Sequence, residues 1–245
     1  MAGKLYGIGV GPGDPELLTI KAVEILKRSE HIFTPIAKEG GASIAFDIAQ
    51  RFIPAATPVS RLLFPMIKDK PMLEQQWMEN HRAMEKVVRA GHASAFITLG
   101  DPGTYSTFSV VMRYFKRFAP DIEIETVPGI TSFAYAAARA GIPLVEGNEM
   151  VAVVSANDSR ERLERIIDSA DNVVFLKTYR QRERLLKMLQ DRGLGDCCAY
   201  IQKCGLEGER VLRNLDGLLH NPEYLSLVIL KKRAAENDDT PSEQS

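Results

Sequence analysis

Glycine occupies every second position from Gly7 to Gly13 in the run Leu5-Tyr-Gly-Ile-Gly-Val-Gly-Pro-Gly-Asp-Pro-Glu-Leu-Leu-Thr-Ile20. Glycine weakens a strand and enlarges the unfolded ensemble, so such a run needs a structural reason. Either the chain turns there with positive φ, or something lies against bare backbone. The spacing excludes the commonest dinucleotide loop. G-x-G-x-x-G from Gly7 needs glycine at 12, where Pro12 stands; from Gly9 it needs glycine at 14, where Asp14 stands. No G-x-x-x-x-G-K-S/T follows. Amides beside a helix start can still receive anionic or carbonyl oxygens. A tight, closely packed turn explains the glycines equally well.

The run sits inside a regular alternation. Residues 4–10 read as a strand, and Asp14 with Pro15 as the start of a helix running to about Ser29 along Leu18, Ala22, Ile25 and Leu26. Strands follow at 31–34, 59–63, 93–99 and 122–127. Helices lie at 43–51, from Pro71 to Gly91, and from the Gly100 turn to Phe118. Pro128-Gly129 punctuates the midpoint, an alanine-rich helix ends at Gly141, and a second alternating series covers 150–230. This pattern predicts two α/β domains, residues 1–125 and 126–233, with 234–245 as a disordered tail. Ligands of such sheets bind beyond the carboxyl ends of the strands. The glycine loop and the Gly100 turn both fall there.

Composition narrows the function classes. A hydrophobic fraction of 45%, a charged fraction of 26% and a net charge of −1 describe an ordinary globular chain. They give no global attraction to nucleic acid or anionic membranes. No apolar run reaches a membrane span of about 20 residues, and Met-Ala-Gly-Lys has no signal-peptide core, so a cytoplasmic protein is expected. Cys197, Cys198 and Cys204 read as buried strand cysteines, and His31, His81, His92 and His220 are scattered. No protein-bound metal is expected.

Three segments could carry chemistry: Gly9-Val-Gly-Pro-Gly-Asp14, Leu99-Gly-Asp-Pro-Gly-Thr-Tyr-Ser106 and Val127-Pro-Gly-Ile-Thr-Ser132. Taken singly, the second is a turn with a helix cap and the third a helix start with two capping hydroxyls. In this order they resemble the tetrapyrrole methyltransferases of cobalamin and sirohaem synthesis, over roughly residues 3–232. Arg61-Leu-Leu-Phe-Pro-Met66 and Gly100-Asp-Pro-x-x-Tyr-Ser-Thr107 look, within that family, like the precorrin-2 or cobalt-precorrin-2 C20-methyltransferases.

The resemblance implies two α/β domains with the active site in the cleft between them and S-adenosyl-L-methionine as methyl donor. It places Pro12, Leu99, Gly100, Asp101, Thr104, Tyr105, Ser106, Thr131, Ser132, Lys177, Thr178 and Gly205 at the donor. Gly11, Gly13, Asp14 and Arg61 fall to the tetrapyrrole substrate, and Asp101 becomes the candidate catalytic group. Leu176-Lys177-Thr178 replaces the family's frequent hydrophobic-Met-Gly. Phe33-Thr-Pro-Ile-Ala37 stands where uroporphyrinogen methyltransferases carry a Tyr-Asp-x-Leu-Val carboxylate, so no base transfers from those relatives. A homodimer is implied, with no nucleic-acid or membrane partner.

Substrate acetates and propionates suit Arg and Lys forks. Arg61 is the expected rim contact. Lys68 and Lys70 read as solvated charges, Phe64 and Met66 as either macrocycle contacts or core, and Arg82, Lys86 and Arg89 as an exposed helix face. The readings that compete are another position-specific methyltransferase of the family, a nucleotide-binding α/β protein, and a non-catalytic scaffold.

Overall fold

The computed structural model describes residues 3–215 and 223–232; the expected tail at 234–245 lies outside the described residues. The chain divides into two compact units, Met1–Ser132 and Phe133–Ser245.

The first unit alternates strand and helix: β1 (Leu5–Gly9), α1 (Ile20–Arg28), β2 (His31–Ile36), α2 (Ile44–Ala49), β3 (Val59–Leu63), α3 (Lys70–Arg89), β4 (Ser94–Thr98), α4 (Phe108–Phe118) and β5 (Ile124–Val127). The strands form one sheet in the order β3-β2-β4-β1-β5, and every pairing is parallel. A parallel pair needs a crossover, which the intervening helices supply. Leu5, Phe33, Leu62 and Phe96 pack beneath Met84 and Val88 of α3 and Phe108, Val111 and Phe115 of α4. Ala22, Ile25 and Leu26 of α1 and Ala45, Ile48 and Ala49 of α2 are also buried. Covering of this kind explains why β4 is buried throughout.

Two helix starts differ from the sequence expectation: the helix expected from the Gly100 turn begins only at Phe108, and the first helix also begins late. Asp14 caps only a single 3-10 turn, Pro15–Leu17, and Leu18 returns to extended backbone at ψ 138. The α-helix begins five residues later, where the Thr19 side chain accepts the Ala22 amide at 3.2 Å. Two capping side chains compete for one helix, and the second sets its register. Asp69 caps α3 directly before Lys70-Pro71, accepting the Met72 amide at 3.0 Å.

The second unit contains α5 (Ser132–Ala140, continuing from the last residue of the first unit), β6 (Val151–Ser155), α6 (Arg160–Ser169), β7 (Asn172–Leu176), α7 (Arg182–Gln190), β8 (Cys198–Gln202), β9 (Arg210–Leu212) and β10 (Ser226–Lys231). Its sheet runs β6-β7-β10-β8-β9. β6 and β7 are parallel, whereas β10 lies antiparallel between β7 and β8. β6, β7 and β8 therefore point the same way and share a carboxyl edge. Leu163 and Ile167 of α6 and Leu185 and Leu189 of α7 cover one face with Val173, Phe175 and Tyr200. Ala136, Ala137 and Ala140 of α5 cover the other.

Lys231, 9% exposed, ties the segment before β6 to this sheet. Its Nζ donates to Pro143 O at 2.9 Å and pairs with Glu146 and Glu149. Asn172 Nδ2 reinforces it, donating to Leu144 O at 2.8 Å and Glu149 Oε2 at 2.9 Å. All three cysteines are free; Cys198 and Cys204 are buried and Cys197 partly so. Among the described residues no helix is long and apolar enough to cross a membrane.

Candidate active site

In the first unit β4, β1 and β5 are adjacent, so the three motifs that follow them meet at one sheet edge. Gly11 and Gly100 exchange backbone hydrogen bonds at 3.2 and 2.7 Å, and the Val10 amide donates to Thr98 O at 3.0 Å. A methyl group on Gly9 would stand 2.5 Å from Gly100 O and 2.7 Å from Gly129 N. One on Gly129 would stand 2.2 Å from Gly100 O. Gly9 and Gly129 are thus glycines because three backbones cross there, whereas Gly100 is one for its positive φ of +69. Gly7 has a different reason: its missing Cβ is replaced by the Phe108 ring, 2.0 Å from where that atom would lie. Gly11 supplies the turn, at φ +78. All four alternating glycines are buried, and at Gly7 and Gly9 a neighbouring group fills the place of the missing Cβ.

Gly100 is itself buried, yet space remains where a side chain would lie. At φ +69 it faces open space, with Ile130 O, at 4.0 Å, the one heavy atom near the place a methyl group would take. Asp101 next to it organises the turn. Its Oδ1 accepts the Gly103 amide at 2.8 Å and the Thr104 hydroxyl at 3.4 Å, while Oδ2 accepts the Gly129 amide at 3.1 Å. Thr131 and Ser132, both half-buried, follow directly. Downstream, Ser106 Oγ bonds Thr98 Oγ1 at 2.9 Å and accepts the Phe108 amide at 3.1 Å, anchoring the start of α4.

Tyr105 lies between these two anchors at φ +50, with 52% of its surface exposed. A bulky residue in this region costs about 1–2 kcal/mol. It persists where the surrounding structure over-determines it. Here the Asp101 bonds on one side and the Ser106 bonds on the other do so.

Pro12 and Gly13 are buried in the loop beside Gly11, and Leu99 is half-buried before the turn. The Asp14 carboxylate is engaged locally by the Glu16 amide at 2.8 Å. Arg61 stands apart from the cluster, exposed in the middle of the outer strand β3, its guanidinium 5.5 Å from the Phe46 ring centroid. Phe64 belongs to the core, edge-on to Phe96 at 5.9 Å, whereas Met66 is 54% exposed. Lys68 and Lys70 are exposed. On α3, Arg82 is exposed and Arg89 makes a two-pronged contact with Asp121 at 2.8 and 3.0 Å.

The second unit gathers its own candidates at the shared carboxyl edge of β6, β7 and β8. Lys177 follows β7 at φ +59. Thr178 is fully buried, its Oγ1 2.8 Å from Ser226 Oγ. Ser226 gives its one hydroxyl proton to Glu223 O at 2.7 Å, so Thr178 is the donor in that pair. After β8, Lys203, Gly205 and Gly208 take φ +50, +70 and +81. Gly205 donates its amide to Glu209 Oε2 at 2.6 Å, and Arg139 Nε of α5 reaches Glu209 Oε1 at 2.7 Å. Tyr135 also bonds this carboxylate, and burial followed by Glu209 pushes its phenol up to about 12. Burial works against the Glu209 charge, yet these bonds hold its carboxyl below the usual range. Glu209 carries no motif signal, since its partners are 4, 70 and 74 residues away.

Comparison with known proteins bears on what this edge does. Residues 4–217 match the family model of Tetrapyrrole (Corrin/Porphyrin) Methylases. The chain is 40% identical to the probable cobalt-precorrin-2 C(20)-methyltransferase of Methanocaldococcus jannaschii, over 94% of this chain and 96% of that one. It is 32% identical to the cobalt-precorrin-2 C(20)-methyltransferase of Salmonella typhimurium, over 95% and 98%. Among solved structures, a cobalt precorrin-4 methyltransferase shares the fold with a TM-score of 0.72 at 20% identity, covering 93% of this chain and 94% of that one. A Thermus thermophilus uroporphyrin-III C-methyl transferase, crystallised with S-adenosylhomocysteine, gives 0.67 at 21%, covering 94% and 92%.

Proposed function

The chain belongs to the tetrapyrrole (corrin/porphyrin) methylases, and on that premise we propose that it methylates C20 of precorrin-2 or its cobalt form in cobalamin biosynthesis, with S-adenosylmethionine as donor. Two relatives named for C20 methylation, at 40% and 32% identity over nearly the whole chain, support the position. The observation that carries the reading is the meeting of three separate motifs at Gly9, Gly100 and Gly129, with Asp101 bonded across them.

The residues fit the donor. A ligand with an amino-acid end and a ribose needs carbonyls, amides and hydroxyls rather than a single charge. Gly100 leaves space beside its Cα; Leu99, Asp101, Thr104, Tyr105 and Ser106 share its turn, and Thr131 and Ser132 follow Gly129, whose amide Asp101 accepts. Pro12 borders the same edge. In the second unit Lys177, Thr178 and Gly205 occupy the corresponding carboxyl edge. Gly11, Gly13 and Asp14 form the side facing the tetrapyrrole, and Arg61 takes a rim carboxylate.

When bound, S-adenosylmethionine supplies a sulfonium methyl already activated for displacement, and C20 exchanges a proton for that methyl. What remains for the chain is placement. Alignment of two reactants is worth about 7–11 kcal/mol, against roughly 10²–10⁴-fold from a general base. The Asp101 oxygens are committed to Gly103, Thr104 and Gly129. We therefore assign Asp101 to holding the donor loop and give the departing proton to water. A homodimer and a cytoplasmic setting belong to the same proposal, on the family resemblance.

The test is turnover of the purified chain with precorrin-2 and with its cobalt form, using a ¹³C-methyl donor and NMR of the product. A methyl at C20 is expected. A methyl elsewhere, or no turnover with either form, overturns the reading. Calorimetry separates the nucleotide-binding alternative: tight NAD(P) binding without a response to S-adenosylhomocysteine would favour it.

A further inference from the structure

The turn after β8 is held by more than its own backbone. Within six residues it contains three left-handed positions, Lys203, Gly205 and Gly208, of which the lysine carries a side chain. Its own backbone contributes only two short-range bonds, Leu206 N to Lys203 O at 2.8 Å and Glu209 N to Leu206 O at 3.1 Å. What closes it is the Glu209 carboxylate, 15% exposed, which reaches back to the Gly205 amide and outward to Arg139. Tyr135 adds a third donor one helical turn earlier on α5.

A carboxylate this far from solvent is costly unless its lone pairs are filled. Three donors from two segments fill them. The result ties the turn at a carboxyl edge of the sheet to a helix whose first residue is Ser132. Gly205, at one end of this tie, belongs to the proposed donor site.

We infer that Glu209 is a positioning residue for the methyl donor, setting the Gly205 turn against α5 without touching the reacting atoms. The inference rests on the methyltransferase reading. It predicts a specific division of effects. Losing Glu209 weakens donor binding, while the reaction of correctly bound donor proceeds as before.

The experiment uses the full chain, with S-adenosylhomocysteine calorimetry, steady-state kinetics and thermal unfolding on each variant. Glu209→Gln keeps the size of the side chain but replaces one acceptor oxygen with a donor. It is expected to raise the S-adenosylhomocysteine Kd about tenfold, the scale of one charged hydrogen bond. The KM for S-adenosylmethionine should rise in step, with kcat at saturating donor and the KM for tetrapyrrole unchanged. Glu146→Gln removes a different ion pair of the same unit. It is expected to lower the melting temperature without moving the Kd. Should Glu209→Gln not fold, Tyr135→Phe carries the test, with a Kd about threefold higher expected from losing a single donor.

A wild-type chain that binds no S-adenosylhomocysteine overturns the methyltransferase reading and this inference with it. A wild type that binds, with Glu209→Gln or Tyr135→Phe binding equally well, overturns the inference alone. A fall in kcat at saturating donor with unchanged Kd also overturns it, because that would place Glu209 in the chemical step.

Discussion

The carboxylate of Asp101 accepts the backbone amide of Gly129, 28 residues further on, at 3.1 Å. With its other oxygen on Gly103 at 2.8 Å, one side chain holds the turn after β4 and the turn after β5 together.

A carboxylate used this way answers differently to mutation than a base. Asp101→Asn presents an amide N–H to either Gly103 or Gly129, both donors, so one contact becomes repulsive. The expected outcome is a loss of stability of about 1–3 kcal/mol with S-adenosylhomocysteine affinity reduced at least tenfold. Urea unfolding and calorimetry check it. Unchanged affinity with a fall in kcat alone would return Asp101 to the role of proton acceptor.

The glycines of the crossing point should not be equivalent. Gly129→Ala drives a methyl group to 2.2 Å from Gly100 O, a backbone atom that cannot rotate away. A loss of about 3 kcal/mol or more is expected, at the upper end of overpacking. Gly100→Ala meets open space and incurs mainly left-handed strain, about 1–2 kcal/mol. Yet Gly100→Ala should weaken donor binding, because the space beside its Cα is the one assigned to the ligand. Gly7→Ala should be partly rescued by Phe108→Leu, since the clash is with a ring.

His81 sets a pH dependence. The residue is 1% exposed on α3, and its ring packs against Phe115 at 4.7 Å and against Tyr114 and Phe118. Both ring nitrogens lack hydrogen-bond partners; Glu85 Oε2 lies 3.3 Å from Nε2 as a charge neighbour only. Burial lowers the His81 pKa below the ordinary 6.5, opposed by Glu85 and aided by Arg82 and Arg89. The unfolded chain therefore takes up the proton first as pH falls. Stability from neutral His81 is complete above about pH 6.5 and is lost as pH drops toward the folded value. Urea unfolding between about pH 5.5 and 7.5 should show this slope, flattened in His81→Leu. His31, lowered by burial and by His92, leaves a residual slope of the same sign. An equal slope in the variant would refute the assignment.

The cysteines should react in order of access. Burial pushes the Cys198 and Cys204 thiols up to about 12, leaving almost no thiolate, the reactive form. Iodoacetamide on the native chain should label Cys197 first, with the other two following only in urea. Mass spectrometry of the intact chain resolves one label from three. Rapid triple labelling without denaturant would show that the two buried thiols open to solvent.

Local physics was readable along the chain. Alternation of apolar strands with amphipathic helices is a short-range pattern, and it located β1, β4 and β7 and the helices between them. Capping was readable too, although Asp14 and Thr19 offer two caps for one helix and only packing chose Thr19. The glycine run announced a backbone constraint without saying which. Gly7 is filled by Phe108 and Gly9 by Gly129, partners 101 and 120 positions away.

By itself the sequence determined the α/β class, the order of elements and the three motifs whose succession marks the family. These depend on neighbours within a turn or a strand, where residue type dictates conformation. Tertiary structure alone decided which glycines have the place of the missing side chain filled by a distant neighbour. It alone inserted β10 between β7 and β8, and brought Glu209 to Gly205, Tyr135 and Arg139. Those outcomes turn on van der Waals distances and hydrogen bonds between segments far apart in the chain. No local pattern encodes them, because each partner's residue type is compatible with many other neighbours.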